Sequence, residues 1–371
     1  MKITKLETLF VKPRWLFLKV HTDEGIVGLG EPIVEGRAQT VAAAVHEAGR
    51  YLIGQDPRRI EHHWQAIYRG AFYRGGPVLC SALSGIEQAL WDITGKWLGQ
   101  PVYQLLGGAT RDKIRMYGWL RGDTNEEYIK SAAVSVSAGF TALKTGLFNA
   151  VNIIDSPAFV QAAADKFAEI RNAVGPKVDV GIDFHGRVSP AMAIRLAHAL
   201  EPYHPMFIEE PVLPENVDAL VTVARSTSIP IATGERLFTK WGFREVLEKQ
   251  AAVVLQPDLS HAGGILECKK IAAMAECYYA AIAPHCPLGP IALAACLQLD
   301  ASIPNFLVQE HVTLGEGYLK QPFKITQGYI ELPTGPGLGI ELDEAAMADK
   351  YDDGAWETPR LWHADGSVAD W

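Results

Sequence analysis

Six ionisable residues, Asp183, Glu209, Glu235, Asp258, His285 and Glu310, follow one another at intervals of 23 to 27 positions, each closing a short apolar run. Such an interval holds one strand, one helix and two short loops. If the runs are strands of one parallel sheet, their C-terminal ends lie on one side and the six groups share a mouth. Asp183, Glu209 and Glu235 then put three carboxylates within reach of one point. Like charges in a partly buried site repel and raise each other's pKa, so the cluster calls for a cation. Oxygen donors with neither cysteine nor a compact histidine set select a hard ion, and Mg²⁺ is the expected cofactor. One acid at a strand–helix junction serves equally well as a helix N-cap, and it is the constant period across three that favours a shared site.

A second histidine and a lysine join the set. In VDVGIDFHG, residues 178–186, His185 stands two positions after Asp183 and so on the same side of an extended chain, as a reacting group or as a structural hydrogen-bonding partner. His285 ends the run YAAIAPH, and the preceding run ends in Asp258. That aspartate is placed to hold one ring nitrogen while the other takes a proton, the competing reading being a histidine buried against the rim. Lys144, in TALKTG, offers different chemistry. A lysine at a strand end forms Schiff bases with carbonyl substrates, but it needs a depressed pKa, which nearby carboxylates oppose unless a metal neutralises them. The glycines of SHAGGI, residues 260–265, read as turn residues opening a helix rather than as a phosphate loop.

The elements that must position these groups are legible as a change of texture. Up to Arg111 the chain reads as an antiparallel meander, KITKLETLFV and WLFLKVHTDEGIVGLGEP, followed by helical spacing from Thr40 to about Leu106. Beyond it come eight short apolar runs, at 114–120, 141–146, 178–183, 205–210, 229–235, 252–258, 279–285 and 306–311, each followed by a helical stretch. Alternating strands and helices imply a parallel sheet covered on both faces, and eight of them fit a closed (β/α)₈ barrel.

The 371 residues exceed the size at which one core usually stops growing, which predicts two domains. A formal net charge of −9 with no Lys/Arg block excludes a nucleic-acid footprint. Five cysteines with no Cys-x-x-Cys pair suggest neither a disulfide framework nor a zinc ribbon. The opening segment breaks its apolar residues with Lys, Glu and Arg, so neither a membrane span nor a signal peptide is expected and the cytoplasm is the default location.

Taken together, GIDFHGR (181–187), FIEEPV (207–212), TGER (233–236), LQPDLSHAGG (255–264), APHCPLGPIALAAC (283–296), QEH (309–311), SALSGIEQALWDITGK (81–96) and LPTGPGLGIELDE (332–344) resemble the enolase superfamily. The likeness is to its mandelate-racemase-like acid-sugar dehydratase branch, and most closely to the galactonate dehydratases. The resemblance implies an α/β fold: a modified barrel over residues 113–324 with an irregular eighth strand, and an α+β cap formed by residues 1–112 and completed by the tail 325–371. It implies Mg²⁺ on Asp183, Glu209 and Glu235, His285 with Asp258 as general base, His185 as general acid, and Glu310 against the substrate carboxylate. Lys144, and Arg14 and Tyr73 from the cap, are expected substrate contacts, the cap residues through the loop Pro13-Arg14-Trp15 and the segment YRGGP. A small-molecule sugar acid is the implied partner, with a homo-oligomer as the expected assembly.

The implied reaction is abstraction of the proton α to a carboxylate, then loss of the β-hydroxyl as water. It asks for one neutral and one protonated imidazole, which the two histidines supply. Racemases of the branch carry Lys-x-Lys at the second strand end, whereas this chain has Lys144-Thr145-Gly146. The missing second lysine disfavours racemisation, and Gly146 removes a polar side chain that the dehydratases it resembles carry there. A different aldonate substrate, a Schiff-base aldolase on Lys144, and a sugar-acid binding protein without catalysis are the alternatives.

Overall fold

The computed structural model describes residues 1–371. At its centre, seven parallel strands lie in sequence order: Gly118–Trp119, Ala142–Gly146, Asp179–Asp183, Ile208–Glu209, Ile231–Thr233, Val254–Leu255 and Ala281–Ile282. The run 306–311 forms no regular strand. Single parallel pairings of Phe306 with Ile282 and of Gln309 with Met116 carry it between the last strand and the first, and so close the ring. Leu307 N–H donates to Ile282 O at 2.8 Å on one side, and Tyr117 N–H donates to Gln309 O at 3.2 Å on the other. The modified barrel with an irregular eighth strand is the observed fold.

The ring is filled, not hollow. Tyr117, Ala142, Phe207, Ala232, Val254, Ala283 and Val308 form a buried cluster of their own, drawn from every strand position except the third. There the third strand supplies Gly181, where a Cβ would come 2.7 Å from the Phe207 ring. Alternating small and bulky side chains fill the narrow interior and leave only the strand ends open to ligands.

The cap is an antiparallel sheet, Ile3–Val11, Trp15–Thr22 and Val27–Gly30, with helices Ala38–Leu52, Ile60–Gly70 and Pro77–Leu98. The tail runs along its edge, with Lys12 N–H donating to Lys350 O at 2.7 Å and Asp352 N–H to Phe10 O at 3.2 Å. No helix is long and apolar enough to cross a membrane, and all five cysteines are free.

Helix Pro77–Leu98 is buried around nearly its whole circumference because it lies between cap sheet and barrel, so its polar groups need partners there. Glu87 accepts from Ile265 N–H at 2.7 Å and Leu266 N–H at 2.9 Å, capping the barrel helix Ile265–Glu276 from outside its own domain. Gly264, at φ 91°, opens that helix and leaves room for the Glu87 carboxylate. Glu31 at the end of the cap sheet does the same for helix Pro290–Ser302, accepting from Gly289 N–H at 2.6 Å and Ala292 N–H at 2.9 Å. Burial pushes Glu31 up to about 8 and Glu87 up to about 7, against the pull of these donors. Glu87→Ala would strand two backbone N–H groups and the Trp91 indole N–H in the core. A loss of about 3 kcal/mol or more is expected in denaturant unfolding, with Glu87→Gln losing clearly less.

Candidate active site

A cavity of about 430 Å³ lies between the strand ends and the cap, and Asp183, His185, Glu235, His285, Glu310 and Lys144 all line it. Asp183 and Glu209 end neighbouring strands and are direct register partners. Glu209 is fully buried behind the cavity, where it is ion-paired with Lys144 and accepts from Gln256 Nε2 at 2.6 Å. Lys144 Nζ also lies 3.5 Å from Asp183 and 3.4 Å from Glu310. Glu235 faces the histidines instead, with His285 Nε2 at 3.7 Å and His185 Nε2 at 3.9 Å. The three acids therefore surround one region, but as the side chains stand no three His, Cys, Asp or Glu donors close on a single ion.

Charge in this region is out of balance. Burial, reinforced by Asp183, Glu235 and Glu310, pushes Glu209 far above the carboxylate range in spite of Lys144. Burial alone would depress Lys144, yet Glu209, Glu310, Asp183 and Glu235 together raise it well above a normal lysine, so it remains an ammonium. Glu310 resists burial through Lys144, His285 and the Cys286 N–H at 2.8 Å, and is held at about 2. His285 is likewise raised well above the usual imidazole range, burial being outweighed by Glu235, Glu310 and the hydrogen bond to Asp258.

The dyad is well formed. His285 Nδ1 lies 2.8 Å from Asp258 Oδ2, and the other oxygen of Asp258 accepts from Ser260 N–H at 2.7 Å. A carboxylate held at Nδ1 fixes the ring and leaves Nε2 toward the cavity. His185 sits across Glu235 from it, its own N–H donating to Asp183 Oδ1 at 2.7 Å.

Of the cap residues, Arg14 reaches the cavity, donating to Pro287 O at 3.1 Å with Glu35 at 3.9 Å. Tyr73 does not. It is 83% exposed, edge-on to Phe72 and beside a small separate apolar hollow, and of YRGGP it is Pro77 that lines the site. The turn carries its aromatic side chains outward, so the expectation for Tyr73 is corrected. Gly146 lines the cavity beside open space, with nothing within 4 Å of a would-be Cβ.

Several lining residues escaped the sequence reading. Trp119 Nε1 donates to Glu310 at 2.8 Å and so helps to aim that carboxylate. His261, from the stretch read as a turn, has Nδ1 2.9 Å from Ser81 Oγ of the cap and Nε2 3.6 Å from Asp258. Its histidine–aspartate spacing of three positions after the strand-end acid was the available signal. Trp371, at the far end of the sequence, also lines the cavity.

Comparison with known proteins agrees with this architecture. Residues 7–107 match the mandelate racemase / muconate lactonizing enzyme N-terminal domain, and residues 127–346 match the enolase C-terminal domain-like family. D-galactonate dehydratases from Ralstonia nicotianae and Cronobacter sakazakii are each 53% identical to it, with all of both chains covered. Among solved structures, a mandelate racemase/muconate lactonizing enzyme from Jannaschia sp. CCS1 superposes with a TM-score of 0.91 at 36% identity, covering 95% of this chain and 98% of that one. A member of the enolase superfamily from Salmonella Typhimurium gives 0.89 at 34% identity, covering 94% and 97%. The chain belongs to the enolase superfamily, with the cap and barrel domains of its mandelate racemase and muconate lactonizing enzymes.

Proposed function

We propose that this acid-sugar dehydratase, a hydro-lyase, acts on D-galactonate with Mg²⁺, removing the C2 proton and expelling the 3-hydroxyl as water to give a 2-keto-3-deoxy acid. The observation that carries the reading is the pair of imidazoles in one cavity, His285 Nε2 at 3.7 Å and His185 Nε2 at 3.9 Å from the same Glu235 carboxylate. The choice of D-galactonate is supported by the two relatives of that name at 53% identity.

The donor chemistry fits a hard divalent cation. Four carboxylates meet one lysine, and burial, reinforced by the neighbouring acids, pushes Glu209 up in spite of that lysine. Asp183, Glu209 and Glu235 would hold the ion, which stabilises the negative charge that develops when an α-proton leaves a carboxylate. A cation on Glu235 would neutralise the foremost of the charges that raise His285 and so free Nε2 of its proton. His285 Nε2 then receives the C2 proton while Asp258 steadies the ring, and His185 protonates the departing hydroxyl. Lys144 and Glu310, side by side at 3.4 Å, bracket the place for the substrate carboxylate, with Arg14 facing them from the cap. At Gly146 no side chain stands ready to return a proton to the opposite face.

A panel of aldonates with Mg²⁺, followed by keto-acid detection, tests the reading. D-Galactonate is expected to turn over fastest; a faster aldonate would replace it as substrate, and turnover of none would leave only a binding protein. Lys144, buried as an ammonium among carboxylates, lacks the neutral amine that an aldolase needs. Borohydride reduction with a keto acid is therefore expected to leave Lys144 unmodified in peptide mass maps.

A further inference from the structure

His185 stands on a bent stretch of backbone. Its φ is 56° and that of Gly186 is 67°, the left-handed region that costs a side chain energy. The bend and the hydrogen bond to Asp183 fix its Cα but leave the ring free to turn. What holds the ring is the other end of the chain. His185 Nδ1 lies 2.6 Å from the main-chain oxygen of Trp371, and the indole packs edge-on against the imidazole at a centroid distance of 5.2 Å. That oxygen, of the carboxylate of Trp371, accepts and does not donate, so Nδ1 carries a hydrogen and Nε2 is the nitrogen on the Glu235 side, within the cavity.

We propose that Trp371 is a positioning residue for the acid step, its main-chain oxygen and ring turning His185 so that Nε2 meets the departing hydroxyl. The proposal rests on the dehydratase reading above. In that step the C3–O bond breaks, the pair left at C2 by the earlier proton transfer to His285 becomes the C2–C3 double bond, and the Nε2 hydrogen joins the oxygen as water. The imidazole then keeps its hydrogen on Nδ1, the tautomer that Trp371 accepts from. Proton removal by His285 makes no use of Trp371. The hairpin leading to it, Leu361–Trp362 with Val368–Ala369, borders a groove where Ile153, Ile154 and Val368 remain exposed.

The test compares the full chain with a variant lacking residue 371 and with Trp371→Phe, each given D-galactonate and Mg²⁺ in D₂O. The deletion is expected to lower keto-acid formation by about 100-fold while deuterium enters C2 within about twofold of the wild-type rate. Trp371→Phe, which keeps a main-chain oxygen and a ring, is expected to stay within about threefold for both. If the deletion does not fold, Trp371→Gly is expected to show the same split at smaller amplitude. Parallel losses of exchange and dehydration, or undiminished dehydration after deletion, overturn the proposal alone. A wild-type enzyme that turns over no aldonate removes the functional reading and the proposal with it.

Discussion

In D₂O, His185→Asn is expected to wash deuterium into C2 of unreacted D-galactonate while making no keto acid, and His285→Asn to do neither. The asymmetry follows from the order of bond breaking. With Asp258 still holding His285 at 2.8 Å, the base of the His185 variant can remove and return the C2 proton, but nothing protonates the 3-hydroxyl. Without the His285 ring there is no base, because Lys144 is locked among carboxylates and position 146 carries no side chain. Dehydration should fall by more than about 10³-fold in both variants. Loss of the C2 proton signal reads the exchange, and finding it in the His285 variant alone would reverse the two roles.

The second large effect is expected from Glu209→Gln, which should weaken Mg²⁺ binding by about 100-fold or more in calorimetry and abolish turnover. Its effect on the metal-free fold should be small. Glu209 is a fully buried carboxyl pushed far up by burial and by its neighbours, so in the metal-free protein it is held toward its neutral form and the amide of glutamine replaces it with little change in charge. Lys144 keeps Asp183 at 3.5 Å and Glu310 at 3.4 Å as partners. The melting temperature in EDTA is therefore expected to stay within a few degrees of wild type, at about 4 °C or less. An active Glu209→Gln enzyme in EDTA would remove the metal from the reaction.

Much of this arrangement is legible in the sequence because six of the eight apolar runs close on an ionisable residue, which marks both the strand and its direction. Strand lengths are not legible. The run 252–258 reads as one strand, yet only Val254–Leu255 is paired on both sides. The run at 306–311 shows the same limit, as its apolar pattern is strand-like while its hydrogen bonds are single pairings. His261 was hidden because its partner Ser81 lies 180 positions away, and its spacing of three from Asp258 was the only local sign of it. Tyr73 was misplaced because an aromatic in a glycine-rich turn reads the same facing solvent or substrate.

The docking of the cap onto the barrel has a consequence for recombining such proteins. Glu31 and Glu87 originate in the cap but terminate on the two barrel helices that follow the strands bearing Asp258 and His285. A foreign cap grafted onto this barrel must bring carboxylates to both points, or the transplanted chimera leaves helix ends uncapped directly behind the base. New substrates are therefore reached more cheaply by rewriting single loops, such as the one carrying Arg14, than by exchanging whole modules.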